Sequence, residues 1–299
     1  VGSFTHISPT FYTVNYSYVS GVADYSNCGG GASCTDPGTN NFDGLTTLQL
    51  AAQINGLGLA TVPLIYGGAA NSGVDTGVQN ILNDASGAQT SFISSMVQEA
   101  VANGYAGYNL DWEVGSGVGA SYASSFVTFV NAFKAALAVH GMSLSADAVV
   151  SNINGSWCSG NDGYLDFGLL STSSIDRIII EDYTNSLGTT YSSCQPVVLA
   201  SVLPVECPID SAGSNVNFTG LLNYMCGNLP ASMVVIGVES YSAATNGFAG
   251  SAISAMQSYG MDKVAVWPQA EGSYPFLSSN GFVAPVSNWY ALLAGFLQG

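Results

Sequence analysis

The chain has 299 residues, a length that fits one α/β barrel as well as two smaller domains. Only 7% of them are charged, against about 25% in an average soluble domain, and the net charge is −16. So acidic a surface repels phosphate backbones and anionic membranes, which excludes nucleic-acid and membrane-surface partners. The apolar fraction of 47% is ample for a large core, yet no run of about 18 apolar residues marks a membrane span.

Short apolar strands alternate with helical stretches along the chain. "FTHISPTFYTV" reads as a strand, "FDGLTTLQLAAQINGLG" as a helix and "LATVPLIYGG" as the next strand. "QTSFISSMVQEAVANG" carries an apolar stripe and a Gly stop, then "YAGYNLDWEV" returns as a strand. The helix "SYASSFVTFVNAFKAALAVHG" leads to the strand "SLSADAVV", and "IDRIIIEDYT" is a buried strand. Three further helices, "NFTGLLNYMCGNL", "GFAGSAISAMQSYG" and "VSNWYALLAGFLQG", flank the strands "SMVVIGVES" and "KVAVWPQ". Such alternation, with strands apolar on both faces, predicts a parallel sheet and a (β/α)8 TIM barrel forming one domain over 1–299. Seven strands are counted, so either one escapes the pattern or the barrel's first strand is not in this chain. An open barrel edge would expose unpaired backbone and invite self-association.

Six cysteines fit an oxidising compartment. Loop neighbourhood favours Cys28 with Cys34, Cys158 with Cys194 and Cys207 with Cys226, a connectivity that the sequence leaves open. Sequons at Asn15, Asn154 and Asn217 also point to secretion, and a start at Val1 rather than Met to a processed or trimmed chain. There is no Cys-x-x-Cys, and His6 and His140 lie far apart, so neither a metal nor another cofactor is expected.

Strand side chains alternate between faces. In "GYNLDWE", Asn109, Asp111 and Glu113 therefore share one face and Tyr108, Leu110 and Trp112 the other. The apolar face is expected to pack on helices and the polar one to look into the barrel at its C-terminal mouth, where this fold builds its chemistry. Other strand ends add Asp147, Glu181 with Tyr183, Glu239, and Trp267 with Gln269. The cations sit elsewhere, with Arg177 and Lys263 starting strands and Lys134 on a helix. A mouth of acids, amides and aromatics without a cation suits a neutral hydroxylated ligand such as a sugar.

At these residues the chain resembles glycoside hydrolase family 18, the chitinase and endo-β-N-acetylglucosaminidase family. Its strand-four signature D-G-x-D-x-D-x-E is matched in "AGYNLDWE" by Gly107, Asp111 and Glu113, with Asn109 in place of the middle Asp and Ala106 of the first. "LIYGG" is similar to the family's S-x-G-G, with Tyr66 departing from it. "EDYT" is similar to M-x-Y-D, keeping Tyr183 but carrying Thr184 and Glu181, and Trp267 matches the Trp that floors the sugar subsite. On this alignment "FTHISPTFYTV" is the family's second strand.

The resemblance implies a secreted hydrolase that cleaves β-1,4-linked N-acetylglucosamine with retention by substrate-assisted catalysis. Glu113 would be the general acid, Asp111 would hold the acetamido N–H, Tyr183 would donate to the acetamido oxygen and Trp267 would stack under the sugar. Asp111 is expected to help raise the pKa of Glu113. Asn109 can hydrogen-bond Asp111 but cannot take its proton, and an inward Glu181 is expected to replace the lost carboxylate in part. Asn109 and Thr184 motivate the alternative, a glycan-binding lectin or self-assembling extracellular structural protein on the same barrel. The presence of Glu113 favours the enzyme.

Overall fold

The computed structural model describes residues 5–14, 18–25, 46–68, 74–114, 118–149, 153–154, 163–181, 228–239 and 263–267. They fall into two compact units. The first takes Val1–Ala148, Asn152–Asn154 and Asp162–Asp176, and the second holds the remainder, including Arg177–Gly299.

In the first unit, β1 (His6–Ile7), β2 (Thr10–Thr13), β4 (Ala60–Thr61), β5 (Leu64–Gly68), β6 (Gly107–Glu113) and β7 (Ser143–Val149) are joined through helices. β2, β5, β6 and β7 lie side by side and parallel, as the alternating pattern predicts. Two expected strands are each broken in two, at Pro9 and at Pro63. Proline has no N–H for the ladder, and it restricts the residue before it. The two breaks fall beside each other, so pairing passes through them. β1 pairs with β4 below the break and β2 with β5 above it, while the Pro9 carbonyl accepts from Leu64 N at 2.9 Å and the Pro63 carbonyl from Asn109 N at 3.0 Å.

Beyond β2, where the sequence leaves an open edge, the chain supplies a partner of its own. The short β3 (Asp24–Tyr25) runs antiparallel to β2, with Tyr25 opposite Tyr12 and Asp24 opposite Thr13. Over those two positions no second copy is needed to cover the edge. β3 was not legible because a two-residue strand carries no period.

The helices are α1 (Thr47–Gly56), α2 (Val74–Leu82), α3 (Ala88–Asn103), α4 (Ala123–Ala138) and the single turn α5 (Phe167–Leu170). α1 starts on a capping box, with Gln49 N donating to Thr46 Oγ1 at 3.2 Å and Thr46 N donating to Gln49 Oε1 at 2.8 Å. α3 ends on Gly104 at φ 67°, the left-handed stop that its sequence announced. α2 was not expected, because its segment follows a Gly, Ala, Asn and Ser run that reads as loop. Its apolar residues nevertheless recur at 74, 78, 81 and 82, a helical spacing.

The apolar face of β6 packs on α3 and α4, as alternation predicts. Trp112 stacks on Phe129 with centroids 5.1 Å apart and planes at 14°, and Tyr108 stacks on Phe133 at 5.8 Å. Phe92 of α3 meets Trp112, Phe129 and Phe133 edge-on. Burying each such ring is worth about 1.5–3 kcal/mol, so this cluster fixes β6 against the helices. At the start of β7, Lys134 Nζ reaches Asp176 Oδ2 at 2.6 Å and the Met142 carbonyl at 2.9 Å, while Leu144 N donates to Asp176 Oδ2 at 2.7 Å. This cation therefore lies at the opposite end of β7 from Asp147.

Two glycines of the motifs have steric reasons. Gly107 sits at φ +150°, and a Cβ there would run into the Ser143 backbone carbonyl. Gly67 lies opposite Trp112 in register, and a Cβ there would stand 2.6 Å from Trp112 Cδ1. Gly67→Ala is thus expected to cost about 2 kcal/mol by overpacking, read as a lowered denaturation midpoint. An unchanged midpoint would mean that Trp112 is free to shift.

In the second unit β10 (Arg177–Glu181), β11 (Val234–Glu239) and β12 (Val264–Trp267) pair in parallel. Glu181 stands opposite Gly237, and Glu239 opposite Trp267, in register. Two short strands, β8 (Ile153–Asn154) and β9 (Leu165–Asp166), pair with each other in the first unit. The expected helices over 247–260 and 286–299, and nearly all of that over 217–229, lie outside the described residues.

Candidate active site

Register in the first unit gathers one polar face across three strands. Leu64, Tyr66 and Gly68 of β5 lie opposite Asn109, Asp111 and Glu113 of β6, and Ser145 of β7 lies opposite Asn109. Asp147, two residues after Ser145, shares its face. Asn109, Asp111, Ser145 and Asp147 are all buried, at 2%, 6%, 8% and 4% exposure, and Glu113 at the strand end is half-buried. Polar groups this deep are tolerated only where partners compensate them.

Asn109 has its partners on β7. Its Nδ2 donates to Asp147 Oδ2 at 2.7 Å and its Oδ1 accepts from Ser145 Oγ at 2.7 Å. The sequence also allowed a bond to Asp111. A carboxylate and a hydroxyl two residues apart on the neighbouring strand instead take both ends of the amide. They fix which atom is oxygen and which is nitrogen. Asp147, expected as a sugar ligand, is the buried carboxylate set against position 109. Glu181, expected in that role, has its side chain outside the described residues.

Glu113 has its carboxyl pushed above the ordinary glutamate range, and burial is the cause. A carboxyl whose pKa is raised keeps its proton to higher pH, as a general acid needs. Asp111, one β-period back along the same face, is buried more deeply.

Tyr164, just before β9, was missed. It is fully buried, and its Oη donates to the Trp112 carbonyl at 2.8 Å. Burial, and then the charges of Asp111, Asp147 and Glu113, push its hydroxyl well above the ordinary range, so it stays a donor. No periodicity could have flagged it, because it meets β6 from 52 residues away. Ser145 and Tyr66 were legible: Ser145 alternates with Asp147 in "SADAV", and Tyr66 with Gly68 in "LIYGG". Tyr66 stands opposite Asp111 in register and is half-buried.

Tyr183, Gln269, the cysteines Cys28, Cys34, Cys158, Cys194, Cys207 and Cys226, and the sequon residues Asn15 and Asn217 lie outside the described residues. The side chains of Glu239, Trp267 and Asn154 do too, although their backbones sit on β11, β12 and β8. Among the described residues, no group of three or more His, Cys, Asp and Glu is arranged to hold a metal, and no helix is long and apolar enough to cross a membrane.

No family model matches the chain, and no curated protein matches it in sequence. Solved structures do match in fold. A chitinase from Chromobacterium violaceum is similar with a TM-score of 0.61 at 12% identity, over 100% of this chain and 93% of that one. A chitinase-like agglutinin from Robinia pseudoacacia has a TM-score of 0.61 at 15% identity, over 99% and 93%. The second catalytic domain of a group II chitinase from Ostrinia furnacalis, crystallised with (NAG)5, has a TM-score of 0.54 at 18% identity, over 80% of this chain and 57% of that one. At such identities the likeness establishes the fold, an α/β fold shared with chitinases and with a chitinase-like agglutinin.

Proposed function

We propose that this chain, with the fold of the chitinases and chitinase-like proteins, is a secreted glycoside hydrolase built as one (β/α)8 barrel. In this reading it cleaves β-1,4-linked N-acetylglucosamine with retention. The observation that carries it is the pair at the end of β6: Asp111 buried, and Glu113 half-buried with a carboxyl whose pKa burial raises.

The chemistry follows from that pair. Glu113 gives its proton to the glycosidic oxygen as the bond from that oxygen to the anomeric carbon breaks. The substrate's own acetamido carbonyl attacks the anomeric carbon from the other face, giving an oxazolinium ion, so no enzyme carboxylate becomes the nucleophile. Asp111 accepts the acetamido N–H and offsets the positive charge. Glu113, now a carboxylate, removes a proton from the water that opens the ring, and two inversions give net retention. Tyr183 would hold the acetamido oxygen and Trp267 would floor the sugar, with Gln269 and Glu239 binding hydroxyls. No cofactor enters. The disulfides and the glycosylated sequons belong to the same secreted reading.

The acid must be protonated to work, so activity falls as pH rises through its pKa. Because burial raises that pKa, the alkaline limb of kcat/KM is expected above the ordinary glutamate range. A limb at the ordinary value would mean that Glu113 is open to water in the working enzyme.

A second reading, a non-catalytic glycan-binding protein, draws support from the agglutinin's TM-score, equal to that of the Chromobacterium chitinase, and from the amide at 109. The deciding measurement is release of chromophore from a chromogenic chitooligosaccharide, set beside calorimetric binding of the unlabelled oligosaccharide. Turnover that disappears in Glu113→Gln supports the hydrolase. Binding without turnover supports the lectin, and neither rejects both.

A further inference from the structure

The pairing of β6 with β7 runs from Gly107 opposite Ser143 to Leu110 opposite Ala146. Ser143 N donates to the Ala106 carbonyl at 2.9 Å, so the even-numbered carbonyls of β6 face β7. The next one after Leu110 belongs to Trp112, one step past the last paired position. There the Tyr164 hydroxyl donates to that carbonyl at 2.8 Å. The ring is seated edge-on against Phe126 of α4, with centroids 4.8 Å apart and planes at 77°. The bonded carbonyl belongs to the peptide that joins Trp112 to Glu113. The opposite side of the same strand end is held by β5, with Gly68 opposite Glu113.

We propose that Tyr164 is a positioning residue for Glu113, its hydroxyl bonding and fixing the peptide from which the acid projects. The proposal rests on reading Glu113 as the acid. A plain core tyrosine would owe its place to the ring alone, and its hydroxyl could be deleted without consequence for Glu113. Here the hydroxyl acts on the last peptide before the acid, while Asp111, Asp147 and Glu113 all bear on it electrostatically. Deleting the hydroxyl removes a hydrogen bond at a buried carbonyl, which lets the strand end move and admit water.

Tyr164→Phe in the full chain keeps the ring and deletes one oxygen. On a chromogenic chitooligosaccharide, kcat is expected to fall about tenfold with KM within about twofold, the pattern of a loss felt at the transition state. In 13C-carboxyl NMR, the Glu113 titration, assigned by its disappearance in Glu113→Gln, is expected to move down towards the ordinary glutamate range. Phe126→Leu loosens the seat of the same phenol and is expected to shift both readings in the same direction by less. It serves as the variant of record should Tyr164→Phe not fold.

Unchanged kcat and unchanged Glu113 titration in the folded variant overturn the positioning role. If Glu113→Gln leaves hydrolysis intact, the assignment of the acid fails instead. If the native chain does not turn over at all, the titration still decides whether Tyr164 controls the surroundings of Glu113.

Discussion

Glu113→Gln is expected to lower the hydrolysis of a chromogenic chitooligosaccharide by about 10²–10⁴-fold, the usual worth of a general acid. Glutamine keeps the size and the hydrogen-bonding ends of the side chain but has no proton to give up to the leaving oxygen. Binding in the ground state hardly uses that proton, so KM should stay within about twofold. A loss smaller than tenfold would remove Glu113 from the mechanism. The substitution also has a stability signature whose sign is fixed by burial. The carboxyl of Glu113 is raised in the fold, so the folded state holds the proton more tightly than the unfolded chain. The native protein therefore loses stability as pH rises from the unfolded pKa through the folded one, and the loss is complete above the latter. Glutamine does not titrate. Its denaturation midpoint relative to native should rise across that window and stay level on either side of it.

Asn109→Asp is expected to damage the protein, although a comparison of motifs alone would have it restore the family's missing acid. Asn109 Nδ2 donates to Asp147 Oδ2 at 2.7 Å between residues that are both buried. An aspartate in its place sets two carboxylates against each other at hydrogen-bond distance. One must take a proton or the pair must separate. The expected cost at pH 8 is about 3 kcal/mol of unfolding free energy, with hydrolysis falling as Asp111 and its neighbours shift. Lowering the pH protonates one member of the pair, so the deficit should shrink between pH 8 and pH 5. Adding Asp147→Asn reverses the roles, with the amide on β7 donating to the carboxylate on β6, and should recover most of the loss. The measurement is a double-mutant cycle in denaturant at both pH values. A variant as stable as native at pH 8, or costs that simply add, would mean that the two residues do not act as a pair.

The amide at 109 thereby takes on a different meaning. In sequence it is a departure from the signature and the main argument for a lectin. In the fold it matches Asp147, since a neutral donor next to a buried carboxylate is what that surrounding permits. The carboxylate beside position 109 stands one strand over, at Asp147. The chain keeps acids in the cluster by pairing Asn109 with an aspartate across the β6–β7 ladder, and Ser145 completes the arrangement from the same strand.

The sequence by itself determined the parallel α/β alternation, the two faces of β6 and the presence of Asp111 and Glu113 on the polar one. It also located α1, α3 and α4 and their apolar stripes. All of these follow from local periodicity, period two in strands and near 3.6 in helices, and from punctuation by Gly104. The prolines at 9 and 63 were visible as residues, but that they fall side by side and leave the ladder intact depends on register. Register is a relation between strands, which one strand's own pattern does not contain. For the same reason only the tertiary structure decided that Asn109 answers to Asp147 and that β3 covers part of the edge beyond β2. It alone decided that burial raises the carboxyl of Glu113, and that Tyr164 bonds the end of β6. Each of these is a contact between segments far apart in the chain, formed where the strand ladder ends or changes partner and a side chain must satisfy the backbone or the charge left behind.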